Sequence, residues 1–428
     1  MMKVIRYPER AEWTSLLERP HIDMTALYAT VNTVLTDVQT RGDRAVLDYE
    51  EKFDRVSLSS LQVTEAEMEA AEQLVPEELK DALRQAERNI ATFHEAQRFQ
   101  GKKIETAPGV VCWQKAVPIE KVGLYIPGGT APLFSTVLML AVPARLAGCR
   151  EIVLCTPPDR EGRVNPAILY AARLAGVHRI FKAGGVQAIG AMAYGTETVP
   201  KVYKIFGPGN QYVMAAKQQV SLHEVAIDMP AGPSEVLVVA DEKANPVFVA
   251  ADLLSQAEHG ADSQVLLVTT SDRMLERVRE EVQVQLEKLP RRELAVRSLE
   301  HSKLILVHSM EEAMELANAY APEHLILEVE DYTSLAEKVV NAGSVFMGAY
   351  TPESAGDYAS GTNHTLPTSG YARAYSGVNL DSFVRKITFQ ELSPEGIRNI
   401  GPAIEKLASG EQLDAHKNAV TLRLLSLQ

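Results

Sequence analysis

From about residue 120 the chain alternates short apolar runs with helical stretches, and that alternation admits few folds. REIVLCTPP (150–158), HRIFKAGG (178–185) and KVYKIFGPGN (201–210) read as strands, each followed by small or turn-forming residues. NPAILYAARLAG lies between the first two and QYVMAAKQQV follows the third, both with helical patterning. This β-α-β-α order predicts a parallel sheet covered on both faces. A second series follows in SEVLVVAD, SQVLLVTT, KLILVHS, HLILEVE and GSVFMG, with helices expected at 246–259, 272–288, 311–319 and 332–341. Two separate α/β units are therefore expected.

The flanks read differently. Leu27, Val31, Val34, Leu35 and Val38 recur at helical spacing within 22–51. A second helical region covers 64–100, where Pro76 and the acidic residues after it resemble a helix start. Residues 394–427 are expected to be mostly helical, after a Gly- and Tyr-rich loop.

A net charge of −13 argues against nucleic acid or an anionic membrane as the main partner. The N-terminus has no apolar core of a secretory signal, and the longest apolar run, VLMLAVPA, is too short to span a bilayer. Cys112, Cys149 and Cys155 form no CxxC and fit reduced thiols in a cytoplasm. A metal in this chain should be held by nitrogen and oxygen donors.

Several stretches could carry chemistry. In DLLSQAEHGADSQ (252–264), Gln256 and His259 are three apart and share a helical face, while Glu258 points elsewhere. A metal site, an acid/base site and a polar helix end all remain open there. Glycine loops at 122–136, 183–195 and 206–213 each precede a helix, where backbone N–H groups suit a phosphate, or where glycines merely permit tight packing. None matches GxGxxG. YAPEHL (320–325) sets Glu323 beside His324, a natural general-base pair if both enter one cleft. The long loop at 353–377 holds Asp357 and His364, and GEQLDAHKNAV holds Glu411 and His416. Gln256, His259, Asp357 and His416 together make a donor set without thiolates that suits zinc or manganese.

These stretches together resemble the histidinol dehydrogenase family. The resemblance is carried by VGLYIPGGTAPLFSTVLMLAVPARLAGC, GGVQAIGAMAYGTETVPKVYKIFGPGN, IDMPAGPSEVLVVAD, DLLSQAEHGADSQV, YAPEHL, AGSVFMG, GDYASGTNHTLPT and the Glu-x4-His of EQLDAHK, from about 120 to 416. It implies oxidation of L-histidinol to L-histidine through histidinaldehyde, with two hydride transfers to NAD+. By position, Gln256, His259, Asp357 and His416 would be the ligands of one Zn2+ per subunit, which would also hold substrate nitrogens. Glu323 and His324 would be the acid/base pair. Ser234 and Glu411 would contact the substrate along with Gln256, His259, His324, Asp357 and His416, and His364 would lie near it. Tyr125, Gln187 and Asn210 would contact NAD+.

The resemblance also implies an α/β fold of two incomplete Rossmann-like parallel-sheet domains with small helical N- and C-terminal extensions. The expected division is an N-terminal extension at 1–24, a discontinuous domain at 25–123 and 235–378 carrying most ligands and the acid/base pair, an NAD-contacting domain at 124–234, and a C-terminal helical tail at 379–428. That tail would cross to the partner in a cytoplasmic homodimer with shared sites. Competing readings are a related zinc- and NAD-dependent dehydrogenase of another chelating alcohol, such as a sulfonated diol, and a zinc hydrolase. The Glu411 tail, suited to an ammonium group, favours histidinol. Glu323 is not spaced as in HExxH, which disfavours the hydrolase.

Overall fold

The structure, a computed structural model, describes residues 2–20, 25–128, 131–230 and 232–428. Parts of three expectations fall outside them: the start of the 22–51 helix, Gly129 and Thr130 in the first glycine loop, and Ala231 in IDMPAGPSEV.

Both strand series form parallel sheets. β4 (Lys121–Tyr125), β5 (Glu151–Thr156), β6 (Arg179–Lys182), β7 (Lys204–Phe206) and β8 (Ala226–Ile227) lie in the order β6-β5-β4-β7-β8. β9 (Glu235–Ala240), β10 (Gln264–Thr269), β11 (Lys303–Leu306), β12 (His324–Glu328) and β13 (Ser344–Met347) repeat that order as β11-β10-β9-β12-β13. Each is the 3-2-1-4-5 order of a Rossmann sheet lacking its last strand. β1 (Lys3–Arg6) adds a sixth parallel strand beside β11, so the N-terminal segment is part of this sheet and not only helical. The β9 and β10 strands are buried along their whole length, which is why their sequences are continuous apolar runs without alternation.

The helices between 25 and 95 associate with the five-stranded sheet. Val31, Leu35 and Val38 pack with Tyr125, Val153 and Ile189, and Met68, Leu83 and Ile90 pack with Leu124 and Leu154. Each fully buried aliphatic side chain there contributes roughly 1.5–3 kcal/mol. The expected grouping of 25–123 with 235–378 is therefore not the one the cores follow. Amphipathic periodicity shows that a helix needs a partner face, not which of two sheets supplies it. The first helical region breaks into Thr25–Arg41 and Asp43–Tyr49 at Gly42, whose φ is +58°. The second breaks into Glu65–Leu74 and Glu77–Glu95 around Pro76.

A third sheet is antiparallel: β14 (Val384–Leu392) pairs with β3 (Val110–Pro118), which pairs with β2 (Ile104–Ala107). β14 is exposed along nearly all its length, so it carries little of the burial pattern that marks a strand in sequence. The helices Pro394–Gly410 and Asp414–Leu425 follow and pack on each other. No described helix is long and apolar enough to cross a membrane.

Candidate active site

The acid/base candidates and three ligand candidates meet at the N-terminal edge of the six-stranded sheet. β12 opens on His324, directly after Glu323, and lies beside β9, which opens on Glu235. The helix Pro246–Ala257 starts where Asn245 accepts the Val247 N–H and Pro246 takes the first position. It runs back antiparallel to β9, so its C-terminal end delivers Gln256 and His259 to the same edge. The partial negative charge of a helix C-terminus favours a cation there. The short helix Glu353–Tyr358 brings in Asp357.

Donor atoms of His259, Glu353 and Asp357 lie within 4.8 Å of one another. Gln256 is buried beside them and hydrogen-bonds through either amide orientation. With its nitrogen toward Glu353 it donates to Oε2 at 3.2 Å and accepts the Glu235 N–H at 2.9 Å. With its nitrogen toward Glu323 it donates at 3.4 Å. This nitrogen-and-oxygen cluster, with buried Glu353 and Gln256, half-buried Asp357 and His259 at its exposed mouth, fits a divalent cation such as zinc. Glu353 was missed in the sequence, although it stands four residues before Asp357 and therefore on the same helical face.

His324 Nδ1 lies 3.1 Å from the Glu235 carbonyl oxygen and 3.6 Å from Glu323 Oε2. Its Nε2 has no hydrogen-bond partner and lies 3.7 Å from Asp357 Oδ1. The Glu235 N–H donates to Glu323 Oε2 at 2.9 Å. Burial pushes the Glu323 carboxyl up to about 8, against the pull of the His324 ring. Burial disfavours charge on His324 too, yet the carboxylates of Glu323, Glu353 and Asp357 outweigh it and raise the ring to about 10. Burial also raises Glu353 well above the usual carboxylate range. Burial works against ionised Asp357 as well, but the close approach and charge of the His324 ring hold it below that range. Three acids crowded around the His324 ring with little water thus leave an excess of protons that a bound cation would displace.

Ser234 is half-buried and immediately precedes Glu235. His364 Nδ1 lies 2.9 Å from the Asp357 carbonyl oxygen, and its Nε2 lies 3.1 Å from Thr136 Oγ1. Asn363 donates to the Met139 carbonyl at 2.6 Å. The loop expected to be functional therefore ties the Asp357 turn to the helix Phe134–Ala147 of the other sheet.

Tyr125, Gln187 and Asn210 share a second place, a cavity of about 1060 Å³ at the C-terminal ends of β4, β5, β6 and β7. That is the switch point where open α/β sheets bind ligands, and the volume suits a nucleotide. The glycine loops do more packing than expected. The Gly184 N–H donates to buried Glu50 and the Gly185 N–H to the Tyr125 hydroxyl, so side chains take up amides expected to face a phosphate. Glu50 also accepts from Gln187 Nε2 at 2.8 Å. The Asn210 side chain caps the helix Gln211–Ser221. A Cβ on Gly207, whose φ is +131°, would stand 2.1 Å from the Tyr125 carbonyl oxygen, so only glycine fits this crossing.

Glu411 and His416 are not brought to the cluster. Both are exposed on the C-terminal tail, and the helix Asp414–Leu425 buries no residue. Leu407, Leu422 and Leu425 are exposed on the same tail.

Comparison with known proteins gives one consistent answer. Residues 17–424 match the family model described as histidinol dehydrogenase. A histidinol dehydrogenase of Bacteroides thetaiotaomicron is 70% identical over 428 residues, covering 100% of both chains. One from Xanthomonas axonopodis pv. citri is 55% identical over 99% of each chain. The crystal structure of histidinol dehydrogenase from Elizabethkingia anophelis superposes with a TM-score of 0.98 at 56% identity, covering 100% of this chain and 98% of that one.

Proposed function

This chain belongs to the histidinol dehydrogenase family, and we propose that it oxidises L-histidinol to L-histidine through L-histidinaldehyde, passing two hydrides to NAD+ with one zinc ion per subunit. It is an oxidoreductase of histidine biosynthesis that acts on a CH–OH group. The observation that carries the mechanism is the buried Glu323–His324 pair beside the His259, Glu353 and Asp357 donors.

Gln256, His259 and Asp357 would hold the zinc from this chain, with Glu353 beside them. Zinc in that place supplies positive charge that orients the nitrogens of histidinol and favours deprotonation of the neighbouring acids. The remaining chemistry belongs to side chains. With Nδ1–H directed at the Glu235 carbonyl, His324 keeps Nε2 as a base. In the first half-reaction Nε2 takes the alcohol proton while hydride leaves the carbinol carbon for NAD+. In the second, Glu323 takes a proton from water as its oxygen adds to the aldehyde carbon, and His324 returns the proton it gained to the aldehyde oxygen, which leaves the ring free to act again. His324 then takes a hydroxyl proton of the hydrate as the second hydride leaves. A carboxyl held up at about 8 is a stronger base, once ionised, than an ordinary carboxylate. NAD+ would lie in the cavity of Tyr125, Gln187 and Asn210, and Ser234 and His364 would border the substrate. The direct test is NADH formation from L-histidinol by folded, zinc-loaded protein; its absence would sink the reading.

The exposed tail supports a homodimer in which Glu411 and His416 complete the partner's site, Glu411 binding the substrate ammonium group and His416 the zinc. The setting we propose is the cytoplasm. Mixing Glu323→Gln subunits with His416→Asn subunits should restore activity, because one of the two sites in a mixed dimer then receives both intact residues. Up to about a quarter of wild-type turnover is expected from random pairing. No recovery, with mixed dimers confirmed by mass, would mean that each chain completes its own site.

A further inference from the structure

The two catalytic side chains are held by the main chain of one residue, Glu235. Its N–H donates to Glu323 and its carbonyl oxygen faces His324 Nδ1. Any rotation of the Glu235 peptide planes would disturb the acid and the base together. The Glu235 side chain has no solvent to turn toward, being 2% exposed, and it is clamped from two sides. Arg19 grips it in a two-pronged contact, Nε to Oε1 at 2.5 Å and Nη2 to Oε2 at 2.9 Å. The Ser369 N–H donates to Oε1 at 2.7 Å.

Arg19 makes a second set of contacts on the approach to β12. Its Nη2 donates to the Tyr320 carbonyl at 2.8 Å and reaches the Ala321 carbonyl at 3.4 Å. Its guanidinium lies 4.0 Å over the Tyr320 ring. Ala321 sits in the left-handed region, at φ +55°, where the chain turns out of the helix Met310–Tyr320 toward Pro322, Glu323 and His324. A non-glycine residue there needs support from its surroundings. One guanidinium thus braces both the strand whose backbone holds the pair and the turn that delivers it. A planar fork with five donors can make these contacts at once; a lysine ammonium cannot match the two-pronged grip.

We propose that Arg19 and Glu235 are positioning residues for the acid/base pair, so that the N-terminal segment, through Arg19, sets the catalytic geometry of a site to which it contributes no reacting group. The inference rests on Glu323 and His324 being that pair. A small misplacement transmitted from a distance can cost on the order of 100-fold in rate. Arg19→Met keeps the apolar stem over Tyr320 and removes the fork.

In the zinc-loaded dimer, Arg19→Met should lower kcat by about 10–100-fold with KM for histidinol and NAD+ held within about twofold. Added methylguanidinium should recover part of kcat, and Arg19→Lys should fall between the two. Wild-type kcat in folded Arg19→Met overturns the proposal. So does a loss that follows only the fraction of folded protein and ignores methylguanidinium. If Arg19→Met does not fold, Glu235→Gln, which keeps the size and removes the charge, takes its place, and wild-type kcat there overturns the proposal equally. Full turnover in both Glu323→Gln and His324→Asn would instead refute the acid/base assignment itself, a result distinct from any obtained with Arg19.

Discussion

Glu323→Gln should leave the oxidation of histidinol to the aldehyde largely intact and slow the conversion of histidinaldehyde to histidine by about 100–10,000-fold, the span usual for loss of a general base. The substitution is nearly isosteric in a site where the side chain is buried, and the amide oxygen can still accept the Glu235 N–H. What it removes is the ability to take a proton from water. His324→Asn should instead slow both half-reactions, since its buried, unpartnered Nε2 is placed to serve each of them. The two steps are separated by offering each substrate in turn and following NADH in a single turnover. Equal losses in both steps for Glu323→Gln would reassign that residue to orientation of His324, and no loss would remove it from the chemistry.

His259→Asn and Asp357→Asn should each weaken zinc binding by at least about 100-fold, since loss of residues that merely support ligands already costs 10–100-fold. Activity should fall in parallel and return only partly with excess zinc. The reason lies in the cluster itself: donor atoms within 4.8 Å, a buried Glu353 carboxyl forced upward by lack of water, and a histidine whose charge desolvation disfavours. Such a group is costly to keep without a cation and gains from accepting one. Competition with a chromophoric chelator reads the affinity without reference to turnover. Full zinc occupancy in either variant would contradict the ligand role.

Much of this was legible in the sequence because it lies in continuous runs. VLVVA and VLLVT are buried on both sides and can be little else than central parallel strands. Gln256 and His259 declare themselves by spacing on one helix, and Glu323 and His324 by adjacency. Partners brought in by folding were harder to see. Glu353 looks like an ordinary acid of a polar loop until the short helix turns it inward. Glu235 and Arg19 act through main-chain groups and a contact across the whole chain, which no local pattern encodes. β14 hides because an exposed strand has no burial alternation to display. The helices between 25 and 95 were recognisable as amphipathic, but the sheet they cover was settled only by the three-dimensional packing. The glycine loops illustrate the opposite error: Gly207 is required for a close backbone crossing, and the amides of Gly184 and Gly185 are already engaged.

The central claim is a four-electron oxidation at one site, with the aldehyde passed from the first step to the second without release. The most direct measurement is the product balance when a limiting amount of L-histidinol is exhausted by zinc-loaded protein with excess NAD+. The account predicts two NADH and one L-histidine per histidinol, with no aldehyde trapped by an added carbonyl reagent during turnover. One NADH per histidinol with trapped aldehyde, or no NADH at all, would contradict it.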